Sequence, residues 1–371
     1  MQTVRTVLDK LQGAEPTLGR ARVLVGLDGF VDTILHVVKT RESTTAYTRL
    51  EQTGEFAERI AAAAGHSGNF ELVTQMVKLG GNGPIMANAL GAFGTPLTYI
   101  GNLGLPLVHP VFHDLTSRAT VYSIAEPGYT DAIEFNDAKL MLGKHESLKQ
   151  VNWANLTQFV PEPELIRICG ESRLIALVNW TMLTQMGDIL DQLLARVAPQ
   201  LSGEKRWLFI DLADPAKRSR EDLARVLEQI TAFQKYFRVI LGLNLAEARQ
   251  VCAVLHFPLP DETHEDVSLT ATQLREALQI DTVVVHPTHF AAASEAAGCV
   301  CMNGPFTARP KITTGAGDHF NAGFCIGRLL GLELEGALQL GVATSGFYVR
   351  RASSPTLAEM REFLAELAND E

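Results

Sequence analysis

The chain has little cysteine, no long apolar run and no concentrated basic charge, and each lack excludes a class. Five cysteines in 371 residues, Cys169, Cys252, Cys299, Cys301 and Cys325, are odd in number, scattered and mostly inside apolar stretches. That usage rules out a disulfide framework and points to a reducing compartment, the cytoplasm. The C-x-C of Cys299 and Cys301 is the spacing that alternation along a strand produces. No apolar stretch approaches the roughly 18 to 20 residues a membrane span needs, and the amino-terminal MQTVRTVLDKLQGAEP reads as an amphipathic helix without the apolar core of a secretory signal. Against a net charge of −10, Arg350 and Arg351 are the one notable basic pair late in the chain, which argues against a nucleic-acid partner. Zinc is excluded among the ten histidines: Pro110 interrupts His109 and His113, Pro287 opens the turn from His286 to His289, and no acidic third ligand has matching spacing. Walker-type G-x-x-x-x-G-K-[ST], internal repeats, low-complexity tracts and Pro/Ser linkers are all missing.

What is present is an alternation. Short apolar runs begin at Arg22, Pro96, Leu174, Trp207, Arg238 and Asp281, and between them lie segments with apolar residues three and four apart. Ser219 before Arg220-Glu221-Asp222 reads as a helix N-cap. Continuous Val/Ile/Leu strands alternating with helices predict an α/β fold, a three-layer, doubly wound, mainly parallel sheet covered on both faces. Two polar stretches, 33–77 and 120–142, break the rhythm and are expected to form a small β-rich lid on a core of 1–32, 78–119 and 143–371. Ligands of such sheets sit beyond the carboxyl ends of the strands, where this chain places Asp28, Asn102, Asn179-Trp180, Asp211 and Asn244.

The most informative stretch is KITTGAGDHFNAGF, Lys311 to Phe324. A helix N-terminus exposes unpaired N–H groups and the positive end of the helix dipole, and small residues before it let an anion approach the backbone. Gly315-Ala316-Gly317 supplies such a cradle with Asp318 at its threshold. An acid beside an anion site is sensible when it takes the proton of an incoming hydroxyl during phosphoryl transfer. The simpler reading is a tight turn with Asp as a capping residue. A dinucleotide fingerprint fails because Phe320 holds the third glycine position.

This stretch resembles the carboxy-terminal signature of the ribokinase-like (PfkB) carbohydrate kinases, and four further features agree in the family's order: GLDGFVDTI from Gly26, LGGNGPIMANALGAFG from Leu79, TYIGNLG from Thr98 and LGLNLAEA from Leu241. The resemblance implies a kinase transferring phosphate from ATP to a hydroxyl of a sugar-like alcohol, with Asp318 as general base and the N–H groups of Gly315, Ala316 and Gly317 as anion hole. It implies substrate contacts from Asp32, Asp28, Gly80, Gly81 and Asn82. It also implies nucleotide-side contacts from Asn244, Glu247 and Thr314, with Glu247 holding Mg²⁺ through water. Departures from the pattern are Ile312 where the family has an acid that helps bind a monovalent cation, so that ion is not carried over, Ile85 where it has Asn, and His286-Pro287-Thr288-His289 in place of a glycine-bearing turn. A nucleoside kinase of the same fold and a sugar- or nucleotide-binding regulator with decayed chemistry are the rival readings. Exposed lid edges are expected to pair two chains into a homodimer.

Overall fold

The computed structural model describes residues 2–370. In chain order its strands are β1 (Val23–Leu27), β2 (Phe30–Arg41), β3 (Tyr47–Arg49), β4 (Leu72–Gly80), β5 (Leu97–Gly101), β6 (Ala119–Ser123) and β7 (Gly128–Glu134). They continue with β8 (Lys139–Lys144), β9 (Leu174–Leu177), β10 (Trp207–Asp211), β11 (Arg238–Leu243), β12 (Thr282–Val285), β13 (Phe290–Glu295) and β14 (Gly298–Asn303). Nine of them form one sheet in the order β14-β13-β12-β11-β10-β9-β1-β5-β6. Every pairing from β12 to β6 is parallel, and only the β12–β13 and β13–β14 pairings are antiparallel. The six strands expected from apolar runs are all there.

Burial on both faces explains why those strands read as unbroken apolar runs. In β9, Ile175 and Leu177 join one hydrophobic cluster while Leu174 and Ala176 join the other. The first cluster includes side chains from the helices Glu162–Glu171, Arg220–Phe233, Leu245–Leu255 and His264–Leu278. The second includes Gln2–Leu11, Asn82–Ala92, Ala316–Leu329 and Leu334–Arg351. The result is the expected three layers. Among the described residues no helix is long and apolar enough to cross a membrane.

The remaining strands form a second, smaller sheet in the order β3-β2-β7-β8, with β4 also paired to β2. It grows from the carboxyl ends of β1 and β6 and packs Leu35, Val37, Leu50, Phe56, Ile133 and Phe135 into a cluster of its own. Its limits differ from those read in the sequence. The stretch 120–142 is divided: β6 pairs in parallel with β5 in the large sheet, and the hairpin is β7–β8, running on to Lys144. In β6 Val121 packs toward one cluster and Tyr122 toward the other, a two-sided burial that five residues are too few to announce. At the other stretch β2 begins at Phe30 and β4 ends at Gly80, so Asp32 and Gly80 stand on the small sheet, opposite the ends of the large one.

The helix Ala316–Leu329 is held close to Leu334–Arg351 by glycines. A Cβ on Gly323 would fall 2.6 Å from the Leu340 carbonyl oxygen, and one on Gly327 2.6 Å from the Ala337 Cα. Ala in place of Gly within a helix gains about 1 kcal/mol from propensity, whereas overpacking costs about 1–3 kcal/mol. Gly327→Ala therefore lowers the denaturation midpoint. Gly170→Ala, where nothing lies within 4 Å of the added methyl, raises it or leaves it unchanged in the same urea titration.

Candidate active site

Between β1 and the small sheet stands Asp28, fully buried. Its Oδ1 accepts from the Gly83 N–H at 2.8 Å, and its Oδ2 accepts from the Asn82 N–H at 3.0 Å and from Asn179 Nδ2 at 2.7 Å. The carboxylate thus caps the helix Asn82–Ala92 from another strand, an anion where free N–H groups and the helix dipole favour one. Burial outweighs these bonds and pushes its pKa up to about 6. Asn82, fixed by this cap, donates from Nδ2 to Asp318 Oδ1 at 3.0 Å. Two helix starts far apart in sequence are tied together at the expected acid.

The turn before Asp318 has its own logic. Gly315 is the N-cap at φ 92°, ψ 2°, and the Ala316 N–H donates to the Thr313 carbonyl at 3.1 Å. This is the geometry of the third residue of a type II turn, where glycine is favoured. Ala316, expected in the anion hole, has its N–H occupied by that turn. Among the described residues no acceptor engages the N–H groups of Gly315 or Gly317, while the Asp318 N–H lies against its own carboxylate. Ile85, the departure from the family pattern, packs on the turn, 3.2 Å from where a Gly315 Cβ would lie.

Asp318 is buried, and its pKa is pushed up to about 8, first by burial and then by the negative charges of Asp28 and Glu247, against the Asn82 hydrogen bond. Asp211, at the end of β10, is raised well above the ordinary carboxylate range by burial and by Glu247 and Asp318. Its Oδ2 accepts from Asn321 Nδ2 at 3.1 Å, while its buried Oδ1 has no partner. Glu247 closes a capping box: Asn244 Oδ1 accepts the Glu247 N–H at 3.0 Å, and Glu247 Oε2 accepts the Asn244 N–H at 2.8 Å. Its Oε1 accepts from the Asp214 N–H at 3.2 Å, and burial raises its pKa. An orphaned carboxylate oxygen among mutually repelling acids fits an oxygen-seeking divalent cation.

Beside these acids opens a cleft of about 400 Å³, lined by Asn244, His286, Thr288, Phe306, Ala316 and Gly317 among others. The turn from His286, foreign to the family pattern, therefore forms a wall of this cleft; His286 lies against Phe320 with ring centroids 4.6 Å apart. On β2, Asp32 is buried against Gly80, where any Cβ would come within 2.5 Å of its Oδ2. Burial raises the Asp32 pKa, opposed by Lys78 and a hydrogen bond with Thr130. Thr314 is exposed at the turn. Asp28, Asn82, Asp318, Asn244 and Glu247 thus lie around one another, together with Asn179 and Asp211, which the sequence placed at strand ends, and with Asn321. Asn179 and Asp211 had a signal, a polar residue closing an apolar run; Asn321, inside a helix, had none.

Comparisons with known proteins agree with this geometry. A family model described as prokaryotic ketohexokinase matches residues 1–367. A ketohexokinase of Haloferax volcanii is 29% identical over 363 residues, 97% of this chain and 95% of that protein. Among solved structures, ribokinase of Arabidopsis thaliana with ribose and ATP has a TM-score of 0.63 at 16% identity, covering 93% of this chain and 99% of that one. Phosphofructokinase-2 of Escherichia coli with substrates and products has a TM-score of 0.63 at 14% identity, over 94% and 99%. The chain belongs to the prokaryotic ketohexokinase family, and its fold is that of the ribokinase-like sugar kinases.

The raised pKa of Asp318 has a consequence for stability. Between the unfolded value of 3.8 and the folded value of about 8 the folded state holds more protons, so stability falls as pH rises through that window. Asp318→Asn keeps an oxygen for Asn82 and removes the charge. In metal-free buffer it raises the thermal midpoint at pH 8 to 9 and has little effect near pH 4; calorimetry at both pH values checks this.

Proposed function

We propose that this chain phosphorylates a hydroxyl of a ketohexose with ATP, Asp318 acting as general base. The observation that carries the reading is the position of one buried carboxylate with a raised pKa, held by Asn82 at a helix start whose neighbouring N–H groups are unpaired. Asp318 takes the acceptor hydroxyl proton as the new O–P bond forms and the bond from the γ-phosphorus to the bridging oxygen breaks, releasing ADP. The N–H groups of Gly315 and Gly317 receive the charge on the transferring phosphoryl group, and Ala316 contributes through the turn that aims them. A general base with a pKa near neutrality combines readiness to accept a proton with availability of the base form.

Asp32 receives sugar hydroxyls as a pure acceptor, against the floor of Gly80 and Gly81. Asp28, whose oxygens are taken by the chain, organises that floor and holds Asn82 in place. On the nucleotide side Glu247, through water, with Asp211 and Asn244 would hold Mg²⁺, and Thr314 lies beside the phosphates. Held there, Mg²⁺ would offset the charge of the polyphosphate among acids that would otherwise repel it. The base of ATP enters the cleft walled by the His286 turn. The small sheet is the lid over the sugar, and the protein works in the cytoplasm, in keeping with its five free cysteines. Met76, Met141 and Leu142 leave more than half of their surface exposed on the lid, so two lids cover one another in a homodimer.

Three measurements test this reading. Asp318→Asn keeps binding of ATP and ketohexose in calorimetry but loses about 10²- to 10⁴-fold in turnover; near-normal turnover would refute the base assignment. Ketohexoses raise the thermal midpoint with a non-hydrolysable ATP analogue, whereas aldoses and nucleosides, offered as control acceptors, do so less. Met76→Lys with Met141→Lys converts a dimer to a monomer in sedimentation equilibrium; an unchanged mass removes the lid contact.

A further inference from the structure

The helix Leu334–Arg351 contributes a tyrosine to the back of the phosphate turn. Tyr348 donates its hydroxyl hydrogen to the Thr314 carbonyl at 2.9 Å. Thr314 and Gly315 are the two central residues of the type II turn, so this carbonyl belongs to its central peptide. Type I and type II turns differ by a flip of that peptide unit. In a trans peptide the N–H points opposite the C=O; a donor on the Thr314 oxygen therefore sets where the Gly315 N–H points. That N–H lies on the side of the turn away from Tyr348 and has no acceptor among the described residues.

The tyrosine ring is itself gripped. His319 stacks on it with centroids 3.6 Å apart and planes at 14°. The His319 Nδ1–H donates to the Gly315 carbonyl at 2.7 Å, which leaves Nε2 to accept from the Ser354 hydroxyl at 2.9 Å. Burial keeps this imidazole neutral at physiological pH, pushing its pKa down to about 4, so the donor role of Nδ1 does not vary there. Tyr348 and His319 between them hold both carbonyls flanking Gly315, and neither is a residue of the acid cluster or of the cleft.

We propose that Tyr348, braced by His319, is a positioning residue for phosphoryl transfer: its hydroxyl locks the Thr314–Gly315 peptide in the orientation that offers the Gly315 N–H to the transferring phosphoryl group. The proposal rests on the anion-hole reading of this turn. A donor preset toward charge that develops only in the transition state affects the rate rather than ground-state binding. Losing one such donor outright costs about 10²- to 10³-fold in turnover, so freeing the peptide to flip costs about 10- to 100-fold.

The test is Tyr348→Phe in the full chain, which keeps the ring on which His319 stacks. The expected result is turnover down by about 10- to 100-fold, with KM for ATP and ketohexose changed less than twofold. Affinity for ADP with aluminium fluoride and ketohexose falls by the turnover factor, while affinity for a non-hydrolysable ATP analogue stays the same. Unchanged turnover, or an equal loss for both ligands, overturns the proposal. If Tyr348→Phe lowers the thermal midpoint by more than a few degrees, His319→Gln, which keeps a donor for the Gly315 carbonyl but removes the stacking face, is held to the same criteria. If the wild type itself fails to bind the aluminium fluoride complex with ketohexose, it is the kinase reading that fails and not the brace.

Discussion

The structure turns on negative charge buried at helix starts. Asp28 is held by the first N–H groups of the helix Asn82–Ala92, Glu247 by those around its own capping box, and Asp318 by Asn82 across the gap between two helices. Each arrangement is tolerable alone, because helix N-termini favour anions. Together they place four carboxylates, with Asp211, close enough that several raise one another's pKa. A protein that maximised stability would not do this; strain of this kind collects at functional sites.

The layers exist to hold that geometry. Parallel strands bring β1, β10 and β11 to a common carboxyl edge, so residues 28, 211 and 247 all come near Asp318 although the sequence scatters them. Glycines let the helix bearing Asp318 lie against its neighbour, and the same neighbour returns Tyr348 to the turn. The large apolar clusters on both faces of the sheet enclose it, and they take in Phe30 and Val31 of the small sheet, whose remaining apolar side chains form a cluster of their own.

How much of this was legible in the chain depended on range. Strands buried on both faces announced themselves as apolar runs, and the GAGD turn announced itself through glycine's tolerance of the positive φ that Gly315 adopts. The division of 120–142 was not legible, because five residues of β6 alternate like any edge strand and only their partner reveals the sheet they join. Asp28 looked like a second substrate contact, since spacing alone cannot show that three donors already occupy its oxygens. Tyr348 and Asn321 carried no signal at all: their roles depend on which backbone or carboxylate lies opposite, a contact across tens of residues that no local pattern encodes.

The central claim is that the fold holds Asp318 as a buried, proton-ready base. Carbon-13 carboxyl NMR of aspartate-labelled protein, with the Asp318 signal assigned by its absence in Asp318→Asn, reads this directly. The account predicts that in the free protein the signal titrates near pH 8, and that bound Mg²⁺ with an ATP analogue moves the midpoint down as the cation offsets the neighbouring acids. A midpoint near 3.8 in the free protein, indifferent to nucleotide and metal, would contradict it.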